Sequence, residues 1–191
     1  MRKNGIDTAE HLPDVQHTGE KGEGMIELKE LTERTLTLFQ VSDFSSLGSA
    51  VMDACSDHEK LDGFCSMVEN DLSVDWMQKI FQYYFADREG KKQDFTPKCL
   101  ADFMGRLADN PKTIIDMCAG SGALTIQKWN QNHDQKFILY ELDENVIPFL
   151  LFNLVIRNID SIVCRGDMLQ NEVYDIWSVT KGEKYGNISR L

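Results

Sequence analysis

The chain reads as an α/β protein, a parallel sheet built from strand–helix–strand units and preceded by a small helical region. Three stretches predict it. Thr113-Ile114-Ile115-Asp116 is a short β-branched run ending in an acid, followed by a turn with Gly120 and Gly122 and a helix-prone run from Ala123 to Trp129. Phe137-Ile138-Leu139-Tyr140 is a second such run, ending in Glu141, 25 residues beyond Asp116, the spacing of one strand–helix–strand unit. A third, Ser161-Ile162-Val163-Cys164, leads to Asp167. Short apolar runs alternating with helical patterns imply parallel strands joined by crossover helices.

The remaining elements follow in order. Residues 1–24 carry Pro13, four glycines and many charged groups without periodicity, and read as a mobile tail. Residues 25–94 read as a helical region. Leu28, Leu31, Leu36 and Leu38 suggest one helix, and Asp43 is placed to cap a second through Leu47, Val51 and Met52. Leu61, Phe64, Met67 and Val68 share a face, and Trp76, Met77, Ile80, Phe81 and Tyr84 form the strongest apolar stripe. At Phe95-Thr96-Pro97, Thr96 suits an N-cap and Pro97 the first helical position. Leu100, Phe103, Met104 and Leu107 then predict one buried face. Asp143 is read as the cap of a helix carrying Val146 to Val155, with Pro148 tolerable in its first turn. Val173 to Trp177 is the candidate fourth strand.

Composition narrows the function classes. At 191 residues, 42% hydrophobic and 27% charged, the chain suits one domain, or one domain with a helical extension. No apolar run reaches the ~20 residues of a membrane helix, and Met1 to Asp7 lacks a signal-peptide core, so a cytoplasmic protein is expected. The five cysteines form no Cys-x-x-Cys pair and the four histidines are isolated, so neither a metal site nor a disulfide framework is expected. Cys118 and Cys164 read as small buried hydrophobes in strands. A net charge of −11 argues against gripping DNA unaided.

The glycine turn carries the chemistry. Gly120 and Gly122 let the backbone turn sharply and approach a ligand with no Cβ in the way, and the amides of the helix start face that ligand. Ala123-Leu124-Thr125 follows, so the third glycine of a dinucleotide fingerprint is missing. Asp116, four residues before Gly120, can instead fix a polar or cationic ligand end. Both features favour S-adenosyl-L-methionine over a dinucleotide.

These residues resemble the class I S-adenosylmethionine-dependent methyltransferases, and more narrowly the adenine-N6 DNA methyltransferases and the modification subunits of type I restriction systems. Asp116 to Gly122 matches the Asp-x-x-x-Gly-x-Gly first motif. Phe95-Thr96-Pro97 matches an aromatic-Thr-Pro tripeptide, Glu141-Leu142 the acidic second motif, and Asp167-Met168 a third. The resemblance implies a Rossmann-like methyltransferase sheet, partial and of about four strands, over residues 95–191. It also implies that Phe95, Thr96 and Pro97 help cover the cofactor's methionine end, and that Asp116, Cys118, Ala119, Gly120 and Gly122 form the cofactor turn. Glu141, beside Leu142, would take the ribose hydroxyls, Asp167 would accept from the adenine amino group, and Met168 would lie near the ring.

One part of the family pattern is missing. After the fourth strand the family places Asn/Asp-Pro-Pro-aromatic, whose acceptors hold the amino group of a flipped-out base. Here Ser178 to Glu183 stands there, no Pro-Pro occurs, and no catalytic residue is assigned. The expected function is therefore an S-adenosylmethionine-binding, adenine-N6-type DNA methyltransferase-like protein that needs a partner for catalysis and DNA binding. The alternatives are a catalytically inactive cofactor-binding or interaction module, in the sense of a truncated relative, and a methyltransferase for RNA or a small molecule. The family's sheet places its fourth strand beside the first, so Val173 to Trp177 is expected as an exposed edge, open to self-association or to a partner.

Overall fold

The computed structural model describes residues 28–42, 44–84, 96–109 and 111–191; the tail at 1–24, Asp43 and Phe95 lie outside them. Helices α1 (Leu28–Phe39), α2 (Leu47–Ala54), α3 (His58–Met67) and α4 (Trp76–Tyr84) come first. They are followed by α5 (Lys98–Leu107), β1 (Thr113–Asp116), α6 (Ala123–Gln131), β2 (Lys136–Glu141), α7 (Ile147–Ile156) and β3 (Ser161–Asp167). Strands β4 (Glu172–Thr180) and β5 (Asn187–Arg190) end the order.

Local chemistry sets several boundaries. Asp57 caps α3, its Oδ1 accepting from the amides of Glu59 and Lys60 at 3.1 and 3.2 Å. Pro148 sits in the first turn of α7, where its missing N–H costs nothing. Asp143 caps the turn before that helix rather than the helix itself, accepting from the Asn145 amide at 3.0 Å. Pro97, not Thr96, occupies the N-cap position of α5, and its carbonyl accepts from Ala101 N–H at 3.0 Å.

Helix α7 is apolar but for Asn153 and buried at every residue but Pro148, as a helix between two layers must be. One layer is the sheet; the other is the N-terminal helices. Phe152 meets Phe39 and Phe64 edge-on at ring distances of 5.6 and 5.1 Å, and Phe149 meets Phe81 at 5.2 Å. The N-terminal helices and the sheet therefore share one continuous core, from Leu31 to Tyr185.

The sheet has five strands in the order β1-β2-β3-β4-β5. β1, β2 and β3 run parallel, and β4 and β5 are antiparallel additions. The row Leu139, Val163, Trp177 is in register across β2–β4 and buried. The neighbouring row on the opposite face, Ile115, Ile138 and Ile162, is partly open, with Ile115 60% exposed.

Three expectations change. The fourth strand does not lie beside β1 as an edge; it is hydrogen-bonded to β3 on one side and β5 on the other, and Trp177 is buried. The cause is the connection. Met168 to Asn171 is a turn of four residues, whereas a parallel strand beyond β1 would need a crossover of a dozen or more. Gly166 permits the close return, since a Cβ there would stand 2.2 Å from the Glu172 carbonyl oxygen. The sheet also has a fifth strand, β5, beyond the four or so expected, so that among the described residues the outer strands are β1 and β5. Finally, the apolar stripe of α5 is not buried: Leu100, Phe103, Met104 and Leu107 are 47–64% exposed. The helix packs on α6 through its small residues, Ala101 and Gly105, and Lys128 Nζ donates to the Gly105 and Ala108 carbonyls at 3.0 and 2.7 Å.

No helix among the described residues is long and apolar enough to cross a membrane. Truncating the buried ring that α7 sets against α1 and α3, Phe152→Ala, is expected to cost about 3–5 kcal/mol, measurable as a lower urea midpoint with the slope unchanged.

Candidate ligand site at the ends of the parallel strands

The three acids singled out in the sequence all stand at carboxyl ends of adjacent parallel strands: Asp116 on β1, Glu141 on β2 and Asp167 on β3. In open α/β sheets the crevice outside these ends is where ligands bind. Each acid has a different environment.

Glu141 ties β2 to the glycine turn. Its Oε2 accepts from Gly120 N–H at 2.8 Å and its Oε1 from Asp143 N–H at 2.8 Å. The Ala119 amide donates to the Tyr140 carbonyl at 2.8 Å, so the turn is held to the strand twice. Asp116 accepts from the Cys118 amide at 3.1 Å, and its burial pushes the carboxyl above the usual range, partly offset by that bond. Asp167 folds onto its own turn, accepting from the amides of Leu169 and Gln170 and from Gln170 Nε2 at 2.7 Å. These bonds, the Gln170 side chain foremost, hold it below the usual carboxylate range.

Gly120 and Gly122 have φ of +55° and +100°, a region L side chains rarely adopt. A Cβ on Gly120 would meet nothing within 4 Å, so the turn faces open space; one on Gly122 would stand 3.1 Å from Leu150 Cδ1. Ala119 is buried in the turn, Met168 is half-buried, and Cys118 and Leu142 are exposed around the crevice. Cys118 thus corrects the expectation of a buried strand residue: it follows the strand and lies in the turn. Cys164 is buried in β3.

Thr96 and Pro97 line a cavity of about 520 Å³ together with Asp75, Lys79, Gln127 and Ala123, the first residue of α6 after the glycine turn. A second cavity, about 340 Å³, lies between α5, α6 and β1, bordered by Ile114, Asp116, Met117 and Thr125. The buried Thr125 hydroxyl has no hydrogen-bond partner among the described residues. Sequence reasoning missed Asp75 as a member of this neighbourhood. Asp75 stands immediately before the Trp76 helix, where its Oδ1 accepts from the Gln78 amide at 2.8 Å as a cap does. Nothing local signalled that the same carboxylate also reaches Ser121. No group of three or more His, Cys, Asp or Glu side chains among the described residues is placed to hold a metal ion.

The two turn glycines differ testably. Gly122→Ala is expected to lose about 1–2 kcal/mol from the left-handed backbone alone, with more from Leu150. Gly120→Ala bears the backbone cost without the clash, so thermal melting should rank wild type above Gly120→Ala above Gly122→Ala.

Comparison with known proteins bears on the whole arrangement. Among curated proteins none matches the chain. One similar solved structure is the methyltransferase subunit of a type I restriction-modification system from Streptococcus thermophilus, at 15% identity and a TM-score of 0.41. The match covers 76% of this chain, which spans 40% of that subunit's length. The profile of the N-6 DNA Methylase family matches residues 68–181, from the end of α3 through β4, and so takes in the glycine turn, the three strand-end acids and the Thr96-Pro97 start of α5. With that match extending over more than half of the sequence, the chain belongs to the N-6 DNA methylase family.

Proposed function

We propose that the chain binds S-adenosyl-L-methionine in the crevice at the ends of β1, β2 and β3. On this reading it serves in the cytoplasm as an adenine-N6-type DNA methyltransferase-like protein that needs a partner for catalysis and DNA recognition. The observation that carries the reading is the open space in front of Gly120, bordered by strand-end carboxylates on adjacent strands.

The residues fit such a ligand. Each Glu141 oxygen accepts one backbone amide and retains a further lone pair for the ribose hydroxyls. Asp167, with Met168 beside it, is assigned to the adenine amino group, and Leu142 to the ring's apolar surface. Burial raises the Asp116 carboxyl and a neighbouring cation would lower it again, which suits the ammonium and sulfonium end of the cofactor. Cys118, Ala119, Gly120 and Gly122 supply backbone close to the ligand, and Thr96 and Pro97, with Phe95 before them, are assigned to cover its methionine end. When bound, the cofactor supplies an electrophilic methyl group; the chain contributes orientation and electrostatics.

Dependence on a partner rests on β4. Ser178, Val179 and Thr180, where the base-binding motif is expected, are engaged in pairing, Ser178 and Val179 with both β3 and β5 and Thr180 with β5. Their backbone acceptors are committed to the sheet rather than free for a base. The net charge of −11 likewise favours a partner that holds DNA. The same engagement of β4 favours, as second reading, a cofactor-binding module without transfer activity.

Calorimetric titration with S-adenosylhomocysteine tests the binding. Folded protein giving neither heat nor a thermal shift at millimolar ligand would overturn it. Glu141→Ala is expected to weaken binding by about 1.5–3 kcal/mol. Asp143→Ala should act mainly on stability, by about 0.5–2 kcal/mol, and the reverse order would exchange the two assignments. A tritiated methyl-transfer assay on unmethylated DNA, run beside light scattering, separates the two readings. Transfer only with an added partner supports the first, no transfer under any pairing supports the second, and robust transfer by a monodisperse monomer refutes both.

A further inference from the structure

Behind the glycine turn lies a buried polar network that the ligand chemistry does not use. Asp75, on the N-terminal side of α4, is buried, as are Ser121, Asn153 and Arg157. Ser121 Oγ donates to Asp75 Oδ2 at 2.7 Å; Asn153 Nδ2 donates to Asp75 Oδ1 at 2.8 Å and to the Ser121 carbonyl at 2.9 Å. Arg157 completes the network. Its Nη1 donates to the Asn153 carbonyl and Oδ1, both at 2.9 Å, and its Nε and Nη2 donate to the Leu72 and Val74 carbonyls, both at 2.8 Å.

Ser121 is the residue between the two left-handed glycines. Glycines leave a turn the widest choice of backbone conformations, and here the hydroxyl and the carbonyl of the intervening residue are both fixed from behind. The hydroxyl is held by a carboxylate from outside the strand–turn–helix unit, 46 residues away in sequence. A buried carboxylate is costly unless it is fully hydrogen-bonded, and bonds to it are strong and directional. Asp75 also lines the cavity that Thr96 and the start of α6 share.

We infer that Asp75 is a positioning residue that holds the glycine turn in its ligand-accepting shape through Ser121, making ligand affinity depend on the N-terminal helical region. This rests on the proposed cofactor reading, and the experiment separates the two. Wild type, Ser121→Ala, Asp75→Asn and the double variant are compared by S-adenosylhomocysteine titration, thermal melting and amide hydrogen exchange. Ser121→Ala leaves Asp75 Oδ1 with both its partners, so it is expected to fold. Its dissociation constant should rise about 10-fold, with faster exchange at Gly120 to Gly122 and unchanged exchange in α7. In the double variant, Asp75→Asn should add less to the dissociation constant than it does alone.

A lowered melting temperature with unchanged affinity and unchanged exchange in the turn would mean that the network is structural only, and would overturn the inference. So would independent, multiplying effects of the two substitutions. If wild type binds no ligand, the cofactor reading fails by itself. The exchange at Gly120 to Gly122 in Ser121→Ala still decides whether Asp75 holds the turn.

Discussion

Helix α7 is the element on which the rest of the structure depends. Ten residues, Ile147 to Ile156, are apolar except for Pro148 and Asn153, and all but Pro148 are buried. A helix of this kind cannot be solvated on any face, so it requires a layer on each side. The sheet supplies one through Phe137, Leu139 and Val163, and α1–α4 supply the other through Phe39, Phe64 and Phe81. The N-terminal helices thus close the core from the side away from the sheet. Asn153, an amide among these apolar neighbours, is fully engaged with Asp75, Ser121 and Arg157, as a buried polar group must be. The same packing that closes the core therefore brings Asp75 to the back of the glycine turn.

The second constraint is the four-residue link after β3. A longer connection could have carried the chain around the sheet; this one folds β4 straight back along β3. Arg165 and Arg190 both pair with Asp175 across β3, β4 and β5, and hold its carboxyl below the usual range. The result leaves β1 as an outer strand, with Ile115, Met117 and the α5 stripe exposed beside it. An apolar stripe predicts burial only where something covers it, and among the described residues nothing does.

At the crevice the three acids show how environment divides like residues. Glu141 holds the turn, Asp116 is pushed toward its neutral form by burial, and Asp167 is held charged by its own turn. Carboxylates this differently placed are not interchangeable. The two on β1 and β2 bear on the glycine turn itself, whereas Asp167 keeps its bonds within four residues of chain.

Sequence alone determined the parallel strand–helix–strand core. Apolar runs ending in acids, and two glycines at a turn whose φ are both positive, are local signals, and backbone sterics read them locally. It also determined Asp116, Glu141 and Asp167 as strand-end groups, because strand period and length fix where a strand stops. Phe95 lies outside the described residues. Tertiary structure decided the rest. Whether the face of α5 is covered, which strand lies beside β1, and whether Cys118 is buried depend on what packs there, and periodicity carries no record of that. Strand β5 was hidden because Asn187–Arg190 is short and polar; it is a strand through the backbone pairing that β4 offers it. Asp75 carries no local mark beyond preceding a helix, and only the fold, by bringing Ser121 and Asn153 to the same carboxylate, joined it to the site.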